Sequence, residues 1–231
     1  MGEKGTAIVL LSGGLDSATT LAIALSEGYD CRALSFNYRQ RHDRELSSAM
    51  HLAKHYGLKE HKIVRMDLRE IGGSALTDES IAVPEDRVVA NLKKEIPLTY
   101  VPARNIIFLS IALGYAEVCN ADAIYIGANA IDYSGYPDCR PDFLEAFEAM
   151  AKKGTKRGVE GRPIAIKYPL INMTKAQIIK IGLELKVPYE LTWSCYKGGK
   201  RACGKCDSCQ LRLKGFLEAG SEDPIEYSGK G

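Results

Sequence analysis

The apolar run Thr6-Ala7-Ile8-Val9-Leu10-Leu11, followed at once by Ser12-Gly13-Gly14-Leu15-Asp16-Ser17, constrains this chain more than any other stretch. Branched apolar residues closed off by glycines read as a short buried strand. The next residues, Ala18-Thr19-Thr20-Leu21-Ala22-Ile23-Ala24-Leu25, have helical composition and stop at Gly28, a C-cap signal. A strand that turns through serine and glycine into a helix makes an anion site. Glycines let the backbone approach an oxyanion closely, and the N–H groups of the first helical turn point at it. The hydroxyls of Ser12 and Ser17 add donors, and Asp16 is a ligand for a magnesium ion held against phosphate oxygens. The competing reading is an ordinary turn capped by Ser or Asp, and two glycines between two serines weigh against it.

The hexapeptide resembles the SGGxDS loop of the PP-loop ATP pyrophosphatases, enzymes that cleave ATP between the α- and β-phosphates to activate an oxygen as an adenylate. No Gly-Lys-Ser/Thr follows at the spacing of a Walker A loop. The resemblance implies nucleotide contacts along Leu11, Ser12, Gly13, Gly14, Leu15, Asp16, Ser17, Ala18 and Thr19.

The chain has 231 residues, 45% apolar and 26% charged, which suits one globular domain with a small appendage. A net charge of +2 gives no global electrostatic case for nucleic acid or membrane binding. The N-terminus runs straight into the first strand and no apolar run is long enough to span a bilayer, so a cytoplasmic protein is expected. In that reducing setting seven cysteines read as core residues, nucleophiles or metal ligands rather than disulfides.

Four of them, Cys195, Cys203, Cys206 and Cys209, form C-x7-C-x2-C-x2-C. Thiolates two residues apart bite one ion from a tight turn, and the upstream thiolate closes a tetrahedron. Lys200, Arg201 and Lys205 lie alongside to offset the charge. An iron–sulfur cluster is the rival, but Gln210-Leu211-Arg212-Leu213 supplies no continuing x3-C-P, which favours zinc. Four thiolates leave no open coordination position, so one structural zinc per chain is expected, pinning a helix from about Asp207 to Glu218.

Between these motifs strands and helices alternate. Strands are expected near Asp30–Phe36, His61–Met66, Ala121–Ile126 and Pro163–Tyr168, and helices near Asp43–Tyr56 and Asn105–Val118. The stretch Ile71–Pro102, broken by Gly72-Gly73, Pro84 and Pro97, reads as a long loop of the kind that forms lids or binding loops. The pattern predicts a doubly wound, mostly parallel α/β sheet whose ligand sits beyond the carboxyl ends of the strands. Residues 1–190 would form the ATP and substrate domain, 191–220 a zinc-binding helical segment packed on it, and 221–231 a frayed tail.

The segment Gly127–Pro141 follows a strand directly and so lies at the ligand edge. A flat heterocycle could stack on Tyr133 or Tyr136, and Asp132 or Asp138 could accept from its ring N–H groups. A capped surface turn explains the same residues equally well.

Asp132–Pro141, Trp193-Ser194-Cys195-Tyr196 and Cys203–Cys209 resemble the QueC family of 7-cyano-7-deazaguanine synthases. So do Tyr38–Leu46, Val101–Leu109, and Pro169-Leu170 with Thr174-Lys175, and the resemblance runs from the first strand to about Phe216. It implies a magnesium-dependent ligase, a homodimer, converting 7-carboxy-7-deazaguanine, ammonia and ATP into the nitrile preQ0; the near-neutral charge adds the expectation of no direct contact to nucleic acid. On this resemblance Asp132, Tyr133, Asp138 and Arg140 meet the deazaguanine, while Asp16, Ser17, Arg104 and Lys175 act on ATP. Arg104 and Lys175 read equally as surface ion-pair residues, and His42 equally as a helix-start residue or a proton shuttle. Two positions depart from the family pattern: Arg39 and Ala103 stand where it has glycine, a mild change at Ala103 if φ there is negative. The rival within the superfamily is a tRNA-thiolating enzyme, which would need catalytic cysteines near the ATP loop.

Overall fold

A computed structural model describes residues 4–86, 96–131 and 135–228 of the chain. Strand β1 (Lys4–Leu10) leads into helix α1 (Leu15–Ser26), followed by β2 (Tyr29–Asn37), α2 (Arg44–His55) and β3 (His61–Arg65). Then come α3 (Arg104–Val118), β4 (Ala123–Tyr125), α4 (Pro141–Gly154), the short α5 (Lys156–Val159), β5 (Ala165–Lys167), α6 (Lys175–Glu184) and α7 (Asp207–Ala219). The five strands form one sheet in the order β3-β2-β1-β4-β5, and every neighbouring pair is parallel. This is the doubly wound architecture that the alternating pattern predicts.

Strand chemistry sets the layers. In β1, Ile8 and Leu10 pack on one face with Leu109 and Leu113 of α3 and Leu144 of α4, while Ala7 and Val9 pack on the other with Leu21, Leu52 and Ile178. Successive side chains point to opposite faces, and helices cover both, so a central strand reads as continuously apolar. From β1 the chain moves one way through β2 and β3, then returns to the other side for β4 and β5. The carboxyl ends of β1 and β4 therefore part around a crevice, the usual ligand position in such sheets.

Three helices, α4, the short α5 and α6, go beyond the expected pattern. Helix α4 buries Leu144, Phe147 and Ala151, a spacing its sequence carries. Helix α6 opens with a capping box in which the Thr174 hydroxyl accepts from Gln177 N and the Gln177 side chain accepts from Thr174 N. Within the described part of 71–102 a single 3-10 turn precedes the segment and no strand or α-helix interrupts it, yet it is anchored: Ser74 and Ala75 are fully buried and Ala75 N donates to Leu98 O. Arg41 ties the same segment down by donating to the carbonyls of Ala75, Asp78 and Ile81.

Of the tail expected to fray, residues 221–228 are held by specific contacts, and 229–231 lie outside the described residues. Tyr227 is buried, Ala202 N donates to Glu226 O, and Asp223 forms a buried ion pair with Arg212 at 2.8 Å. An aromatic ring and a carboxylate with a buried guanidinium partner hold residues 221–228 in place.

Candidate active site

At the first corner Gly13 adopts φ +91°. A Cβ there would lie 2.0 Å from the Glu45 carbonyl oxygen and 2.7 Å from Ala49 N, so only glycine lets the corner press against α2. The two serines cross-link the turn: Ser12 Oγ donates to Ser17 Oγ, Ser17 Oγ donates to Gly14 O, and Gly13 N donates to Ser17 Oγ at 3.2 Å. Gly14 is the extended N-cap of α1, which leaves the first-turn N–H groups directed at the crevice.

Charged groups converge on this corner from distant parts of the chain. Lys175 Nζ, at the start of α6, donates to both Asp16 oxygens at 2.7 and 2.8 Å. The Lys175 stem is backed by α7, where a Cβ on Gly215 would lie 2.3 Å from Lys175 Cγ. Arg104 opens α3 beside Tyr38, Tyr136, Asp138 and Cys139. Burial opposes its charge, but those four neighbours more than offset this and hold the guanidinium above its ordinary pKa. Arg104 thus stays a fixed cation.

The crevice is a cavity of about 240 Å3. Leu11, Ser12, Gly14, Leu15, Asp16 and Ser17 line it from the corner, joined by Arg104 and Lys175. The carboxyl end of β4 contributes Ile126, Gly127, Ala128 and Asn129, and Asn129 Nδ2 donates to Leu170 O and Met173 O, tying β4 to the approach of α6. An aromatic wall holds Phe36, Tyr38, Phe108 and Tyr136, with the Phe36 and Phe108 rings stacked at 3.9 Å.

Several expected site residues lie elsewhere. Ala18 and Thr19 are fully buried on the core side of α1, where Thr19 Oγ1 meets the Tyr189 hydroxyl at 2.8 Å; helical periodicity turns them away from the cavity. Arg140 is exposed at the N-cap of α4, off the cavity wall. Asp138 is buried and accepts from Asn105 N at 2.9 Å, so its carboxylate caps α3 and fixes the turn that carries Arg104. Asp132 and Tyr133 lie outside the described residues.

Other lining residues received no site role from the sequence, although Gln40, Glu45 and Cys139 lie in stretches that carry the family resemblance. Arg212, on the buried face of α7, reaches the cavity while donating to Thr192 Oγ1, Tyr189 O and Asp223. Glu45 lies in the polar first turn of α2, where a solvated face is the simpler reading of its sequence, yet it lines the cavity beside Gln40. Burial, reinforced by Cys195 and opposed by Arg104, pushes its carboxyl up to about 7. Cys139 also lines the cavity, but burial and the adjacent Asp138 push its thiol up to about 12.

The sulfur atoms of Cys195, Cys203, Cys206 and Cys209 all lie within 4.8 Å of one another. A tetrahedral ion with bonds of about 2.3 Å to sulfur spaces its ligands about 3.8 Å apart, so the cluster can hold a metal. Backbone N–H groups support the fit: Lys197 N and Cys203 N donate to Cys195 Sγ, and Lys205 N and Cys206 N donate to Cys203 Sγ. Hydrogen bonds from Cys206 and Cys209, with the Lys197 and Cys203 amides, hold the Cys195 thiol below its ordinary pKa, and sharing with Cys195 pushes the Cys206 thiol up to about 12, so a metal binding here would displace protons. Trp193 joins this module to the corner, with its N donating to Gly13 O and its Nε1 to Cys195 O. His42 donates to the same Cys195 carbonyl at 2.9 Å, which places it as a strut rather than on the cavity wall.

Comparison with known proteins adds identity to this geometry. Residues 6–220 match the family profile described as "Queuosine biosynthesis protein QueC". Proteins named 7-cyano-7-deazaguanine synthase align over nearly the full length: 60% identity with that of Thermoplasma acidophilum (97% of this chain, 93% of the relative) and 59% with that of Cellvibrio japonicus (98% and 99%). The relative from Nostoc punctiforme is 56% identical over 96% of this chain and 99% of its own. Among solved structures, an NMN synthetase from Francisella tularensis aligns at 17% identity with a TM-score of 0.49, covering 94% of this chain and 78% of that one.

Proposed function

The chain belongs to the QueC family, and on that premise we propose that its cavity binds ATP at the α1 corner and converts 7-carboxy-7-deazaguanine and ammonia into 7-cyano-7-deazaguanine. The observation that carries this reading is the corner itself, with the Lys175–Asp16 pair and Arg104 set around it at the parting of β1 and β4.

A carboxylate resists attack because oxide is a poor leaving group. Transfer of AMP to one carboxylate oxygen, with release of pyrophosphate, gives a mixed anhydride whose leaving group is AMP. Ammonia then forms the amide, and a second activation removes the amide oxygen to leave the nitrile. Such chemistry asks the protein for positioning and charge stabilisation rather than for a nucleophile. In this reading Ser12, Gly13, Gly14 and Ser17 receive the phosphates, Lys175 and Arg104 neutralise the pyrophosphate, and the aromatic wall of Phe36, Phe108 and Tyr136 takes the flat base. Asp132 and Tyr133 are retained as further contacts to the base edge. Asp16 would hold magnesium, which when bound neutralises phosphate charge. Zinc is the metal we assign to the four cysteines, where it would hold the module that carries Arg212 and backs Lys175. We further assign the protein to the cytoplasm as a homodimer acting on free small molecules. No described helix is long and apolar enough to cross a membrane.

The tRNA-thiolating alternative is not favoured: four cysteines converge on one metal-binding cluster, and the one beside the corner, Cys139, is a poor thiolate. The test is incubation with the acid, ammonium and magnesium-ATP, read by mass spectrometry for nitrile and AMP. Asp16→Asn should lower both by about 10²–10³-fold, the cost of losing one charge-stabilising group, with the circular dichroism spectrum unchanged. Normal turnover in that variant would remove Asp16 from its assigned role.

A further inference from the structure

Asp16 and Glu45 are the two carboxylates that line the cavity among the described residues. Both oxygens of Asp16 are occupied by Lys175 Nζ. Glu45 is different: its neighbours act on it through charge and burial alone, with no hydrogen bond among them. Its backbone is pressed against Gly13, so the side chain starts within one turn of the phosphate-binding corner. Arg104, at the start of α3, lines the same cavity, and its charge acts on Glu45.

The proposed reaction brings together two reactants of opposite charge. The adenylated acid is an anion, and ammonia in neutral water is almost wholly ammonium, a cation with four donors and no lone pair for attack. Neighbouring groups of opposite charge sort such reactants: the guanidinium takes the anion and the carboxylate takes the cation. Resting on the function proposed above, we propose that Glu45 is a catalytic residue that receives ammonium in the cavity and takes one proton from it.

The step balances as follows. An ammonium N–H bond breaks, its proton moves to a Glu45 carboxylate oxygen, and neutral ammonia is left with a lone pair. That pair forms the C–N bond to the acyl carbon, the C–O bond to AMP breaks, and AMP leaves with the electron pair. The second proton lost from nitrogen goes to water at the cavity mouth, where Ser12 is exposed. The carboxyl titrates near neutrality, which suits a group that both accepts and returns a proton within a cycle.

The test compares ammonium with hydroxylamine, a nucleophile that is largely neutral at neutral pH and needs no deprotonation before attack. For Glu45→Gln, kcat/KM for ammonium should fall about 10²–10⁴-fold, the span of general-base effects, while hydroxylamine still gives the hydroxamate at a far smaller loss. KM for the acid should barely move, and Glu45→Asp should restore part of the ammonium activity. Equal losses with both nucleophiles, or unchanged use of ammonium, would overturn the assignment to Glu45. A wild-type enzyme that released no AMP with the acid and hydroxylamine would instead sink the underlying function, and this proposal with it.

Discussion

Ala103 holds a left-handed backbone, φ +54° and ψ +20°, at the N-cap of α3, immediately before Arg104. Arg39 does the same at φ +62°. The condition under which alanine would be a mild replacement for glycine, a negative φ, is therefore not met, and both residues carry steric strain from Cβ. Ala103→Gly should stabilise the protein by roughly 1 kcal/mol in urea unfolding, and Arg39→Gly should act in the same direction. A loss of stability at Ala103 would mean that its side chain packs favourably enough to outweigh the strain. At this scale the sequence was legible where chemistry is local. The serines and glycines of residues 12–17 act on their own turn, and their hydrogen bonds span no more than five residues. It was not legible where a partner lies far along the chain. The Asp138 carboxylate meets an amide 33 residues away, so it caps a helix where a substrate contact was expected. Glu45 offers only a polar helix start, and nothing local says that the corner and Arg104 enclose it.

Among the elements, α7 does the most with the least local signal. Cys209 and the three cysteines ahead of the helix announce a metal, but its inner face also carries Arg212, whose side chain is 2% exposed and is paired with Asp223, 3% exposed, from the segment beyond the helix. The Tyr227 hydroxyl donates to the same carboxylate at 2.6 Å. A tail rich in glycine and charge reads as disordered, because nothing within it shows that a buried guanidinium awaits its acid. Asp223→Asn should cost about 3–5 kcal/mol, since removing one partner leaves a buried charge uncompensated. Urea unfolding measures this directly, and a loss below 1 kcal/mol would show that the tail contributes little to holding Arg212. Helix α6 is the opposite case, since Thr174 and Gln177 write its start into the sequence.

The whole molecule follows from strand order. Burial on both faces makes the strands visible as apolar runs, so the sheet and its parallel sense were legible from pattern alone. Which ends converge was not, because that depends on the return of the chain from β3 to β4 across β1. The return opens the crevice and gathers Asp16 from α1, Arg104 from α3 and Lys175 from α6, groups spread over 159 residues, into one charged site. The central claim is that this site hands the α-phosphorus of ATP to a carboxylate oxygen of the substrate. The direct measurement uses 7-carboxy-7-deazaguanine labelled with oxygen-18 in its carboxylate and follows the label in the phosphorus products. The account predicts label in AMP and unlabelled pyrophosphate; label in inorganic phosphate, with ADP as the nucleotide product, would contradict it.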